Sequence, residues 1–135
     1  MIDPRTASYG ALLLRVSMGV MFIAHALLKY FVFTLPGTAQ FFASVGFPGV
    51  LAYPVFAAEL VGGVMLVLGV YTRWVALVLA LEMVGAASVH WGNGWVFDSK
   101  GGGWEFPAFW TAALIVQVLL GDGAWALKRP RSTQA

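Results

Sequence analysis

No cysteine occurs in this chain. That excludes disulfides, thiol nucleophiles and cysteine-ligated metal centres, and it leaves the redox compartment open. Charge is almost as scarce: charged residues are 10% of the 135 positions, where a soluble domain carries roughly a quarter. The net charge is only +2, and the basic residues form no patch interleaved with polar aromatics, so nucleic acid is not an indicated partner. Nucleotide fingerprints are missing too. The "GNG" at 92–94 and "GGG" at 101–103 lack the strand–helix context and the phosphate-binding lysine or serine, so no flavin or nicotinamide site is indicated. Ser17 and Ser88 sit inside apolar runs without a nucleophile elbow, which argues against a serine triad. The first apolar run is too long for a signal peptide and no small-residue cleavage pattern follows it, so it is expected to stay as a span.

What is present is apolar: 60% of the residues are hydrophobic and mean hydropathy is +0.81. Four apolar segments stand out, at about 9–33, 53–71, 74–91 and 106–127, the last with an earlier stop available at the "GDG" of 121–123. A membrane span needs about 20 mainly apolar residues, and four such helices as a soluble bundle would need a polar exterior that this composition cannot supply. The expected fold is therefore all-α, a four-transmembrane-helix bundle forming one domain over 1–127, followed by a basic cytoplasmic tail at 128–135. Only "YTR" at 71–73 separates the second and third segments, which predicts a tight antiparallel pair. Gly62, Gly63 and Gly69 with Gly85, Ala86 and Ala87 are expected to let those two helices approach closely. Between the first and second segments, Thr38 can cap a short helix through Val45, and Phe41 and Phe42 suit it to lie in the membrane interface. The stretch 92–104 reads as the most polar and flexible loop.

With four spans, both termini and the Arg73 turn share one side. That side carries Arg5, Arg73, Lys128, Arg129 and Arg131, against Lys100 and the helix-end Lys29 opposite. The positive-inside rule places that side, and both termini, in the cytoplasm. Trp74 and Trp125 then mark the inner boundary and Trp91, Trp95, Trp104 and Trp110 the outer one.

The few polar residues inside the spans can be given depths. At 1.5 Å per residue from the cytoplasmic ends, Arg15 lies roughly 9 Å deep, Glu82 13 Å, Gln117 15 Å and Glu59 18 Å. His25 and His90 lie near 25 Å and Lys29 near 30 Å by the same count. Arg15, Met18, Phe22, His25 and Lys29 share one arc of roughly 80° on the first helix, and ionisable residues at such depth face the bundle interior. Two clusters are expected. Arg15 and Glu82, which Glu59 can join, read as a structural interhelical charge pair. His25, Lys29, Glu59 and His90 read either as interface anchors or as a site, with the histidines exchanging protons and Lys29 holding an anionic head group. His25, Glu59 and His90 are also the residue types of a metal set. They come from three helices with no local spacing to vouch for it, so no metal is assigned.

Several stretches together resemble the DoxX family of small bacterial membrane proteins: "LLLRVSMGVMFIAHALLKYF" with Arg15, His25 and Lys29, the "FFASVGFPG" connector, "AELVGGVMLVLGVYTRW" with Glu59 and Arg73, and "VHW" at His90. The resemblance implies a four-helix membrane bundle. It also implies a link to redox work: the family name derives from a subunit associated with thiosulfate:quinone oxidoreductase, many members carry an oxidoreductase label, and others are linked to membrane oxidative-stress complexes. On that reading a quinone or quinone-like lipid would sit between the helices, with His25, Glu59 and His90 as catalytic proton-handling residues, Lys29 at the ligand and electrons from a partner protein. A non-enzymatic scaffold, a small proton-coupled transporter and a homo-oligomer remain open alternatives.

Overall fold

Apolar residues on nearly every face of a helix leave it nothing to do but bury in other helices or in lipid, and the helices of this chain bury part of that surface in one another. A computed structural model describes residues 1–128. The tail residues 129–135, with Arg129 and Arg131, lie outside the described residues. The chain is all-helical: α1 (Ala7–Phe31), α2 (Leu35–Ser44), a 3-10 turn (Gly49–Leu51) running into α3 (Ala52–Leu68), α4 (Thr72–His90) continued by a 3-10 turn (Trp91–Asn93), and α5 (Glu105–Leu120). Among the described residues, three stretches are long and apolar enough to cross a membrane: α1, Gly49–Leu68 and Thr72–Asn93. The fourth long helix, α5, is equally greasy but has only 16 residues.

α1 packs chiefly on α3 and α4 on α5, with α3 and α4 joining the two pairs. The core between them is small, built on Met18, Phe22, Leu66, Leu79, Met83, Trp110 and Leu114. Outward, Leu13, Val20, Val61, Val64, Leu77, Leu81, Phe109, Ile115 and Leu119 are exposed, while Arg15, Glu59, Thr72 and Gln117 are buried. Polar side chains inside an apolar shell are what a bilayer selects, because lipid cannot hydrogen-bond them.

The glycine pattern suggested a close approach of α3 and α4, and a tight backbone contact is also made elsewhere. It lies between α1 and α3, where a Cβ on Gly19 would fall 2.7 Å from the Gly63 carbonyl oxygen and one on Gly63 2.8 Å from that of Gly19. Gly62 does face α4, against Leu79, whereas Gly85 faces open space. α3 stops at Gly69, whose left-handed φ of 73° ends the helix without a Cβ penalty. α2 also starts earlier than expected. Thr34 caps it, its hydroxyl accepting from the Gly37 amide at 3.1 Å, and Thr38 is buried one turn in, donating to the Thr34 carbonyl.

α5 ends at Leu120, at the first glycine of "GDG". The chain then turns back across the bundle: the Ala124 amide donates to Ser8, Leu127 to Leu68 and Lys128 to Gly69. The stretch 92–104, expected to be flexible, begins in the 3-10 turn and is held by hydrogen bonds at both ends. Asn93 donates to the Gly101 and Gly102 carbonyls, Glu105 accepts from the Phe97 amide, and Trp91 stacks on Trp104 at 4.9 Å.

Candidate functional site

Lys29 stands in the last turn of α1, where an ammonium also complements the helix dipole. It reaches across the α1–α3 contact and donates to both carboxylate oxygens of Glu59, at 2.9 and 2.8 Å. The Lys29 side chain is 18% exposed and that of Glu59 6%, so this is an interior ion pair. Glu82 on α4 brings its carboxyl beside that of Glu59, and its Oε2 is buried with no hydrogen-bond partner. One ammonium therefore faces two carboxyl groups. The ammonium expected to hold an anionic head group is thus already bonded to Glu59.

The two histidines flank this centre. The His25 Nδ1 lies 2.8 Å from the Met21 carbonyl oxygen, and the His90 Nδ1 3.0 Å from that of Gly101. A carbonyl only accepts, so in each ring Nδ1 carries the hydrogen and Nε2 is left for a ligand.

All five side chains line one cavity of about 400 Å³. Its remaining wall is apolar and includes five aromatic rings: Phe41, Phe42, Val45 and Phe47 from α2 and its connector, Leu51 and Val55 at the start of α3, Leu81, Met83, Ala86 and Val89 from α4, and Phe106, Pro107 and Trp110 from α5. Gly85 contributes space rather than contact. A second cavity of about 440 Å³ adjoins it, sharing His25, Lys29, Phe41 and Phe42 and reaching Leu28, Phe33, Gly37 and Thr38. Both volumes fall within the range of small-molecule sites, and an apolar wall with a few convergent polar groups is their usual make-up.

Trp110, expected as a boundary residue, faces the bundle interior: it is 4% exposed, packed on Phe22 at 4.4 Å and against His25 at 5.0 Å. Its Nε1 is buried without an acceptor. The signal was available: Pro107, Trp110, Leu114 and Gln117 are the buried residues of α5 and recur at helical spacing.

Arg15 and Glu82 do not form the expected pair. The Arg15 guanidinium is fully buried and works on backbone. Nη1 donates to the Leu66 and Val67 carbonyls at 2.8 and 2.9 Å, Nε to Asp122 and Nη2 to Ala124, each at 3.0 Å. It thus satisfies the last carbonyls of α3, which have no intrahelical donor, and binds the returning chain to the bundle. Gln117 acts similarly, its Nε2 donating to Ala11 and Gly121. Arg73 is exposed at the start of α4 and lies against Gly121. His25, Glu59 and His90 share the cavity, yet among the described residues no three histidine or acidic side chains form a group that could hold a metal ion.

The DoxX family model matches residues 10–91, from the first turn of α1 to just past the end of α4. Over 77 residues the chain is 46% identical to a Bacillus subtilis (strain 168) protein named "Putative oxidoreductase CatD", a match covering 57% of this chain and 56% of that one. The chain thus spans little more than half the length of that relative. It is 34% identical over 116 residues to an uncharacterized protein of Haemophilus influenzae, covering 84% of each. No solved structure matches the chain. A family match over more than half the chain, joined to membrane-length apolar helices, settles its membership: the protein belongs to the DoxX family.

Proposed function

From this membership of the DoxX family, we propose that the protein is a multi-pass component of a bacterial inner-membrane redox system that binds a quinone or quinone-like lipid. α1, α3, α4 and α5 span the bilayer with both termini in the cytoplasm, and α2 lies in the outer interface. α5 rises only about 24 Å, short of a hydrocarbon core of about 30 Å, and the returning chain at 121–128 makes up its inner end.

The observation that carries the reading is the cavity itself: aromatic and aliphatic walls around Lys29–Glu59, Glu82 and two histidines with free Nε2 atoms. Such a site suits a flat, oxygen-bearing ring on an apolar tail. Reducing a quinone takes two electrons and two protons. A redox partner protein or the substrate supplies the electrons, since no side chain here stores them. His25 and His90 exchange protons with the ring oxygens, and Glu59, held by Lys29, relays them. The oxidoreductase name of the Bacillus relative points the same way.

Purification in mild detergent followed by mass spectrometry of bound lipids, quinones, metals and proteins tests this directly. The expected result is co-purifying quinone, and quinone-dependent electron transfer that His25→Ala and His90→Ala abolish while the melting temperature is kept. Protein partners without quinone and without any substrate-dependent reduction would instead identify a scaffold, and flux into vesicles a transporter.

A further inference from the structure

Two carboxyl groups meet inside the bundle where one ammonium answers them. The Glu59 and Glu82 side chains are hydrogen-bonded to each other where α3 packs on α4. An ionised carboxyl only accepts, so such a bond exists only where one of the two carries a hydrogen. The ammonium decides which. Lys29 donates to both oxygens of Glu59, and charge-assisted bonds of that kind hold Glu59 as the carboxylate. The Glu82 Oε2 is buried and receives no hydrogen bond, a setting in which a full negative charge is costly. The other titratable groups on the cavity are His25 of α1 and His90 of α4, and no such group lines it from α2 or α5. Arg15 donates to backbone carbonyls at the other end of α1.

We infer that Glu82 is a carboxylic acid at neutral pH that stores one proton for the site, and that Glu59 is the carboxylate through which this proton enters and leaves. Lys29, Glu59 and Glu82 then form one hydrogen-bonded chain of zero net charge, which an apolar surround favours over an unbalanced one. The route follows from exposure. The Glu82 Oε2 is closed off by burial, whereas Glu59 keeps 6% of its side chain exposed and lines the cavity beside both histidines. The transfer balances between the groups named. An O–H bond breaks on Glu82 as one forms on Glu59, and Glu59 gives its proton to a ligand oxygen made basic by electrons from the redox partner or substrate. Glu82 is left as the carboxylate until a proton returns by the same path. One of the two protons that a quinone ring takes up is thereby in place before the electrons arrive. This use rests on the quinone-class reading above, whereas the stored proton does not. Glu82 is a positioning residue here, acting on the ligand only through Glu59.

Infrared spectroscopy of the purified full chain in detergent tests the inference without any ligand. A protonated carboxyl has a carbonyl stretching band separate from that of carboxylates, and the band shifts when H2O is exchanged for D2O. The native protein is expected to show this band at neutral pH. Glu82→Gln keeps a hydrogen to donate to Glu59 and is expected to lose the band. Glu59→Gln is expected to lose it as well, because Glu82 then has the ammonium to itself and ionises. Asp122→Asn, which alters the other buried carboxyl oxygen without a partner among the described residues, is expected to keep it. Absence of a deuterium-sensitive band from the native protein overturns the inference without any variant having to fold. So does a band that survives Glu82→Gln or, should that variant not fold, Glu59→Gln, and so does one that Asp122→Asn removes. Each of these results leaves quinone binding, read separately by mass spectrometry, where it stands. The expected bands in a protein that carries no quinone would keep the stored proton and overturn the proposed function alone.

Discussion

Replacing Lys29 with methionine removes an ammonium while keeping most of its stem, and it leaves Glu59 in place without either of its two bonds. The cost depends on whether the pair behaves as a surface or an interior one. Exposed pairs are worth about 0–1 kcal/mol. With side chains only 18% and 6% exposed, Lys29 and Glu59 belong to the interior class, where removing one partner costs about 3–5 kcal/mol because the survivor is stranded. At the lower figure the folding constant falls by roughly a hundredfold. Replacing both partners, Lys29→Met with Glu59→Leu, removes the stranded charge together with its cause and should recover most of that loss. Glu59→Leu alone strands the ammonium, although a lysine near a helix end can relax toward the interface, so it should cost less than Lys29→Met. The four proteins form a double-mutant cycle, read by denaturant titration in mixed micelles with far-ultraviolet circular dichroism. A Lys29→Met penalty below about 1 kcal/mol, or a double variant as unstable as the sum of the singles, would refute the assignment of this pair to the interior.

The remaining predictions use the same titration except where stated. Gly63→Ala forces a Cβ to within 2.8 Å of the Gly19 carbonyl oxygen and should cost about 1–3 kcal/mol, whereas Gly85→Ala meets nothing within 4 Å and should be neutral or stabilising by about 0.5–1 kcal/mol; a reversed order would contradict the α1–α3 contact. Arg15→Met loses four hydrogen bonds to carbonyls and should cost more than about 3 kcal/mol, with Arg15→Lys recovering little because an ammonium lacks the planar fork. Because those bonds go to backbone, the Arg15→Lys and Glu82→Gln effects should add, and strong coupling between them would restore the charge pair that the structure does not show. The absence of native cysteine allows single-cysteine mapping: Lys100→Cys should react with a membrane-impermeant thiol reagent in intact cells, and Arg5→Cys and Arg73→Cys only after permeabilisation. The opposite labelling pattern would invert the proposed orientation.

The helices were legible because their cause is local. Apolar runs, the brevity of "YTR" and the glycine at 121 act within a turn or two of where they stand, and the structure puts helix ends at Leu68, Thr72 and Leu120 accordingly. Depth counting also grouped His25, Lys29, Glu59 and His90, and all four line one cavity. Which charge meets which was not legible. Depth alone placed Arg15 near Glu82, but a guanidinium buried beside a helix end finds several unsatisfied carbonyls already there, and no periodicity reveals that the chain after α5 will turn back to present two more. The inward face of Trp110 was not legible for a related reason. Tryptophan favours membrane boundaries on average, and that average outweighed a stripe of four positions on α5 which points inward.

The polar residues separate to opposite ends of the bundle. Arg15 donates to four backbone carbonyls near the N-terminal end of α1. Glu59 pairs with Lys29 near the other end of that helix, and Glu82 lies beside Glu59. The ion pair and that carboxyl lie within the segment matched by the family model, together with Phe41, Phe42 and Phe47, whereas Phe106 and Trp110 of the cavity wall come from α5, beyond it. The contribution of α5 to the cavity should be separable from the stability of the charged centre. Trp110→Phe should leave the Lys29–Glu59 coupling energy within about 0.5 kcal/mol of its native value, the limit expected of sites that share no partner, while changing ligand affinity. A coupling energy that moved with Trp110 would mean that α5 holds the ion pair together rather than closing a cavity over it.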